Sequence, residues 1–447
     1  MDPSRLVTVV GAGYVGLVTG VGLASLGRRV HLVETRPDRL GPLQQGRIPL
    51  HETGLQDALT SVLAAGLLTV SDTPPDDPGV AMVCVGTPID DDGRSDDRQL
   101  RSALASLHDR FGADAILCVR STVSIGRTRD IVEWAGLPTA WVFTNPEFLR
   151  QGTALADFRH PSRIVVGRFP DADPAALEAI LGLYAPIDAP RFIVDVEAAE
   201  VIKNAANAFL ALKLSFTNEI ASLCEEAGAD IDDVLAAIGA DPRIGTIYMQ
   251  PSYGFGGSCL PKELRTVARS GQALGLQMHV ATAASDANLA AQRRFAERVA
   301  AALGGLPGRT IAQLGLAFKA GTDDVRDSPA VALAAAFLDG GATVRAYDPA
   351  AGPAAAALLP DLTVVDTVAA AVDGADVVVI ATEWPEFQAL PWADLMATMA
   401  RPLLIDGRRL LDIDALRTIG FDARQLGDGR SRPASATDRA PVTRTVA

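Results

Sequence analysis

Short runs of apolar, mostly β-branched residues alternate with longer alanine- and leucine-rich stretches through the first ~190 positions. The runs Leu6–Val10, Val30–Val33, Val80–Val85, Ala115–Val119 and Ile164–Gly167 are apolar at consecutive positions. Strands of that kind are buried on both faces, and their alternation with helices predicts a parallel sheet covered on each side. From Glu197 to about Ala227 the pattern changes to a stretch without Gly or Pro, dense in Ala, Leu, Asn and Glu. A helix there is a rod of roughly 45 Å, long enough to link domains or support a dimer. The run Gly254-Phe255-Gly256-Gly257 interrupts the helical region, and Leu303–Gly308 reads as a linker. After it the alternation restarts, with strands expected at Thr310–Leu316, Thr343–Tyr347, Asp376–Ala381 and Leu403–Asp406 and a helix at Ser328–Gly340. From Asp428 the chain lacks periodicity and large apolar side chains, so a disordered tail is expected over 428–447.

Composition narrows the partners. The chain has 447 residues, enough for about three units, and a net charge of −14, which repels nucleic acid and anionic membrane surfaces. No run reaches the ~18 apolar residues of a bilayer span. Met1-Asp2-Pro3-Ser4-Arg5 leads straight into a short Val-rich run without signal-peptide architecture, so a cytoplasmic location is expected. Cys84 and Cys118 fall in strand-like runs and Cys224 in a helical one, where they read as small buried hydrophobes. Only Cys259 has polar, glycine-rich neighbours. His31, His51, His108, His160 and His279 are scattered, and no metal is expected.

Three motifs carry chemistry. Leu6–Val10 runs into Gly11-Ala12-Gly13-Tyr14-Val15-Gly16, and Glu34 ends the next strand. The glycines at 11, 13 and 16 make a tight turn, let a pyrophosphate approach the backbone, and pack helix on strand. The acid receives ribose hydroxyls and repels a 2′-phosphate, so NAD is favoured over NADP. The second motif places the Cys259 thiol among glycines with Lys262 three residues on. Amide groups and a cation would raise its thiolate fraction, although an inert loop cysteine fits the local chemistry equally well. The third puts Lys203 and Asn207 on one helix face that continues as apolar Leu210, Ala211 and Leu214. There they either stabilise a developing oxyanion or form a surface pair.

Taken in order along the chain, the motifs resemble the UDP-glucose/GDP-mannose dehydrogenase family. They are GAGYVG, VCVGTP (Val83–Pro88), RSTV (Arg120–Val123), NPEFLRQGTALADF (Asn145–Phe158), RIVVG, KNAANAFLALKLSFTNEIASLCE (Lys203–Glu225), DPRIG (Asp241–Gly245), GFGGSCLPKE and LGLAFKAGTDDVRDSP (Leu314–Pro329). They cover residues ~6–410, far more specifically than any single pattern. The resemblance implies two Rossmann-like, doubly wound parallel-sheet domains of the α/β class joined by a long central helix. Expected boundaries are 1–196 for NAD binding, 197–302 for the helical dimerisation region with the cysteine loop, and 309–427 for nucleotide-sugar binding.

It also implies a reaction: NAD-dependent oxidation, in two hydride steps, of the carbon-6 hydroxyl of a nucleotide-linked hexose to a carboxylate. In that scheme Lys203 and Asn207 stabilise the alkoxide, and Cys259 captures the aldehyde as a thiohemiacetal that is oxidised to a thioester. Glu147 with Thr122 then directs the hydrolytic water. Tyr14, Val15, Glu34, Arg39, Thr87, Thr122, Lys262 and Arg326 are expected to line the NAD site. Phe148, Leu149, Lys203, Asn207, Tyr248, Ser252, Gly256 and Lys319 are expected to hold the nucleotide sugar, and Arg243 to reach a neighbouring subunit's site in a homodimer. The chain departs from the family at Gln151 (commonly a second glutamate), Glu263 (usually aspartate) and Ala320 (usually proline). UDP-glucose is the favoured substrate, with dTDP-glucose and GDP-mannose as alternatives. A one-step dehydrogenase of the 3-hydroxyacid or 6-phosphogluconate type, or an inactive dimeric NAD- and sugar-binding protein, are the rival readings.

Overall fold

Fourteen strands form two sheets in the computed structural model, which describes residues 5–89, 96–108, 110 and 115–429. The chain divides into two units. The first takes residues up to Ala211 together with Ser258–Ala283 and Ala320–Asp323; the second takes Leu212–Gly257, Ala284–Lys319 and Asp324 onward.

The first unit holds β1 (Val7–Val10), β2 (Val30–Val33), β3 (Leu68–Ser71), β4 (Val80–Val83), β5 (Ile116–Val119), β6 (Val142–Thr144), β7 (Ile164–Arg168) and β8 (Arg191–Asp195). Their order is β3-β2-β1-β4-β5-β6-β7-β8. All pairs are parallel except β6–β7, where Phe143 faces Arg168 in antiparallel register. Alternate residues feed two cores: Val7, Val9, Val80 and Met82 enter one, and Val10, Ala81 and Val83 the other. That is why these strands read as unbroken apolar runs. Strand order reverses between β1 and β4, and in a doubly wound sheet ligands settle outside the carboxyl ends at such a switch point. The Gly11–Gly16 turn follows β1, Val85–Pro88 follows β4, Arg120–Val123 follows β5 and Asn145–Phe148 follows β6, so four sequence motifs share that edge.

Helix Val196–Ala227, 32 residues long, leaves β8 and carries the chain from the first unit into the second. The second unit holds β9 (Thr310–Leu314), β10 (Thr343–Tyr347), β11 (Thr363–Val364), β12 (Val377–Ile380), β13 (Leu403–Asp406) and β14 (Asp422–Gln425), in the all-parallel order β11-β10-β9-β12-β13-β14. Its core includes Tyr253, stacked on Phe295 at 4.7 Å, with its hydroxyl donating to the Ala381 carbonyl at 2.8 Å. Asp428 is buried and bridges to Asp230, and the Gly429 N–H donates to the Ala229 carbonyl at 3.0 Å. The rest of the expected tail, 430–447, lies outside the described residues. No described helix is long and apolar enough to cross a membrane.

Candidate active site

The turn after β1 is built for close approach. Gly11 has φ +95°, and a Cβ on Gly16 would lie 1.8 Å from the Gly11 carbonyl oxygen, so the helix can leave the strand this sharply only with hydrogen there. No side chain caps helix Tyr14–Ser25 at Gly13, and its first-turn N–H groups remain available to an anion. Glu34 is buried just past β2. Its carboxylate accepts the Ala12 N–H at 3.2 Å and the Arg36 N–H at 2.9 Å, and Arg39 lies 3.9 Å from it. A glycine cradle with an acid beside it fits a dinucleotide: phosphates on the helix end, ribose hydroxyls on Glu34. On the same edge Thr87 donates to the Thr122 carbonyl at 2.5 Å, and the Lys262 ammonium lies 3.4 Å from both oxygens of Thr87. Val15 is half-buried behind the turn.

The remaining first-unit residues converge through helix Val196–Ala227. Lys203 is buried and reaches Glu147 at 3.2 Å, while the other oxygen of Glu147 accepts the Leu149 N–H at 2.5 Å. The ammonium also stands 5.4 Å from the centre of the Phe148 ring, whose face is covered by Arg163 at 3.7 Å. One turn on, the Asn207 amide donates to Glu263. Glu263 lies in helix Leu260–Ala273, at whose N-cap sits Cys259, with the Ser258 hydroxyl 3.7 Å from its sulfur. Cys84, Cys118 and Cys224 are buried free thiols, and Cys259 is exposed.

Charge decides protonation here. Burial would push Glu147 up, but Lys203, the Leu149 N–H and Arg120 outweigh it and hold the carboxyl below its usual range. Burial would likewise lower Lys203, and the Glu147 and Glu263 carboxylates raise it instead, so it stays an ammonium. Glu263 is raised by burial, against the pull of Lys203 and Lys262. The protein packed around the Cys259 thiol and then the Glu263 charge push it up, with Lys203 pulling the other way. The resting sulfur is therefore a thiol rather than the preformed thiolate that its glycine-rich setting invites.

The other expected residues stand in the second unit. Gly256 leaves no room for a side chain, since a Cβ would meet the Asp327 carbonyl oxygen at 2.0 Å. The Ser252 N–H donates to Asn218 at 2.8 Å. Tyr248 holds a left-handed backbone at φ 61°, a strained conformation that bulky residues seldom keep without a local reason. Lys319 follows β9, Arg326 pairs with Asp324 at 2.6 Å, and the largely exposed Arg243 pairs with Asp241 at 2.6 Å. Sequence reasoning treated Glu263 only as a departure. Its position four residues after the helix N-cap at Cys259, on the same side of the first turn, was the signal that it belongs to the cluster.

Comparison with known proteins gives a consistent picture. Three models of the UDP-glucose/GDP-mannose dehydrogenase family match in order: its NAD binding domain over residues 5–188, its central domain over 197–290 and its UDP binding domain over 312–413. A UDP-glucose 6-dehydrogenase of Pseudomonas aeruginosa is 37% identical over 95% of this chain and 97% of its own length. Among solved structures, a UDP-glucose dehydrogenase of Pyrobaculum islandicum aligns with a TM-score of 0.83 at 36% identity, covering 92% of this chain and 96% of the other. A UDP-D-ManNAc dehydrogenase from Pyrococcus horikoshii aligns with a TM-score of 0.84 at 26% identity, covering 95% and 100%.

Proposed function

Since the chain belongs to the UDP-glucose/GDP-mannose dehydrogenase family and is thus an NAD-dependent nucleotide-sugar 6-dehydrogenase, we propose that its substrate is UDP-glucose and that oxidation to UDP-glucuronate runs through a covalent bond to Cys259. The observation that carries this reading is the meeting of Lys203, Glu147, Asn207 and Glu263 next to a solvent-reachable thiol. The named activity of the relatives favours glucose on UDP over the dTDP-glucose and GDP-mannose alternatives.

Each residue has a task that its environment suits. The sugar hydroxyl loses hydride most readily as an alkoxide, and the Lys203 ammonium, kept charged by two carboxylates, offsets the developing negative charge together with the Asn207 amide. The Gly11–Gly16 turn and Glu34 would hold NAD, which would supply the hydride acceptor for both oxidations. The aldehyde has no transferable hydride until something adds to it. The Cys259 sulfur forms the new C–S bond, and its proton ends on the former aldehyde oxygen, giving a thiohemiacetal. The second oxidation leaves a thioester. Water then adds to it with Glu147 taking its proton, and Glu147 passes that proton to the departing sulfur, which leaves as thiol. A carboxyl held low in pKa is ionised at neutral pH and ready for that proton. Gln151, an amide, cannot supply a base.

A second copy of the chain completes the reading. Along helix Val196–Ala227 the apolar residues Phe209, Phe216 and Leu223 recur every seven positions with exposures of 62%, 49% and 62%. A heptad stripe that open is suited to a like stripe on another copy, and Arg243, largely exposed and paired within its own loop to Asp241, is placed to reach across. All four cysteines are unpaired, which suits a reducing compartment such as the cytoplasm.

The test is NADH release with UDP-glucose, dTDP-glucose, GDP-mannose and UDP-N-acetylglucosamine at equal concentration. The expected outcome is two NADH per UDP-glucose and faster turnover than with the other three. A Cys259→Ala protein that still makes hexuronate at the wild-type rate would overturn the covalent route.

A further inference from the structure

A buried carboxylate outside the reacting cluster ties the cofactor turn to the loop that bears Glu147. Glu52 precedes helix Leu55–Ala64 and is 4% exposed. One of its oxygens accepts the Tyr14 hydroxyl and the Gly152 N–H, the latter at 2.7 Å; the other accepts the Ala154 N–H at 2.8 Å. Tyr14 opens the helix that follows the glycine turn, while Gly152 and Ala154 close the segment that begins with Glu147, Phe148 and Leu149. Hydrogen bonds to a buried charge are short and strong, and this one joins segments more than a hundred residues apart. The segment has little freedom elsewhere. Arg150 is paired with Asp157 at 2.6 Å, and Phe158 packs so closely on the cofactor helix that a Cβ on Gly22 would lie 2.4 Å from its ring. At its other end Glu147 is held by Lys203.

We propose that Glu52 is a positioning residue that couples the two binding events: when the glycine turn closes on NAD, the Tyr14–Glu52–Gly152/Ala154 tie sets the backbone that presents Glu147, Phe148 and Leu149 to the sugar. This rests on the reading of Tyr14 as part of the NAD site and of Phe148 and Leu149 as part of the sugar site. Burial and the Glu52 carboxylate both push the Tyr14 hydroxyl far above its ordinary pKa, so it stays a proton donor to Glu52 at any working pH. Coupling between sites is reciprocal, so the sugar nucleotide tightens NAD by the same factor as NAD tightens the sugar nucleotide.

The experiment is calorimetric titration of the full-length protein with NAD, alone and with saturating UDP-glucuronate, the product that NAD cannot oxidise further. The quantity read is the ratio of the two NAD dissociation constants, which is insensitive to changes in either affinity alone. The wild type is expected to give a ratio of about 5-fold or more, falling below about 2-fold in both Tyr14→Phe and Glu52→Gln. Tyr14→Phe removes only a hydroxyl and carries the test if Glu52→Gln does not fold. Glu52→Gln turns an N–H donor toward a backbone N–H and breaks one arm of the tie. A wild-type ratio near one with both ligands bound, or an undiminished ratio in Tyr14→Phe, overturns the proposal. Failure of UDP-glucuronate to bind the wild type at all overturns the functional reading, and this inference with it.

Discussion

Replacing Lys203 with methionine keeps the length and most of the volume of the side chain while removing the ammonium 3.2 Å from Glu147. At that separation and an effective dielectric of ~20, the attraction is about 5 kcal/mol. Stranding one buried member of an ion pair costs roughly 3–5 kcal/mol. At roughly 2–4 °C per kcal/mol for a unit of this size, melting should fall by about 6–20 °C near neutral pH. The pH dependence fixes the cause. In the wild type Glu147 is held below its unfolded value, so it contributes stability above that value (about 4.3) that is lost as pH falls through the folded one. Lys203 is raised, so its contribution is present below about 10.5 and is lost as pH rises through the folded value. Without the cation, burial drives the Glu147 carboxyl up and it takes a proton at higher pH. The deficit of Lys203→Met should therefore be largest near pH ~8 and shrink toward pH ~5. The double variant Glu147→Gln/Lys203→Met removes both members of the pair and should recover more than half of the loss. Differential scanning calorimetry of the wild type and the two variants across that pH range is the assay. A Lys203→Met melting point within ~1 °C of wild type at neutral pH, or a deficit that grows on acidification, would refute the reasoning.

Two further outcomes follow from the geometry. Gly16→Ala forces a methyl to within 1.8 Å of the Gly11 carbonyl oxygen; the turn must open, and NAD affinity should fall by at least about 10-fold in a direct titration, while UDP-glucuronate binding should change far less. Phe216→Asp puts a charge in the centre of the exposed helix stripe, and light scattering is expected to report twice the 46.7 kDa chain mass for the wild type and 46.7 kDa for the variant. A variant that remains dimeric would remove that stripe as the interface.

Much of the sheet architecture was legible because a doubly covered strand has to be apolar at every position, as Val7–Val10, Val80–Val83 and Val377–Ile380 are. Other strands lack that signature. β8 is exposed along most of its length at the edge of its sheet, β3 is half open, and β6 is only three residues long and pairs antiparallel with β7. The candidate site residues were legible as residue types in motifs. Their protonation was not, because the glycine-rich setting of Cys259 pointed to an easily ionised thiol while burial and then Glu263 push it the other way.

The sequence by itself determined the α/β class, the glycine turn with its acid, the order of the motifs, and the presence of a thiol, a lysine and a carboxylate suited to repeated oxidation. These are local properties, set by periodicity, by backbone freedom at glycine and by side-chain chemistry. Only the tertiary structure decided which charges meet. Lys203 and Glu147 are 56 residues apart, as are Asn207 and Glu263, and Glu52 lies 100 residues from Gly152. No local pattern encodes those distances, and burial acts on a group's charge only after the chain has folded around it.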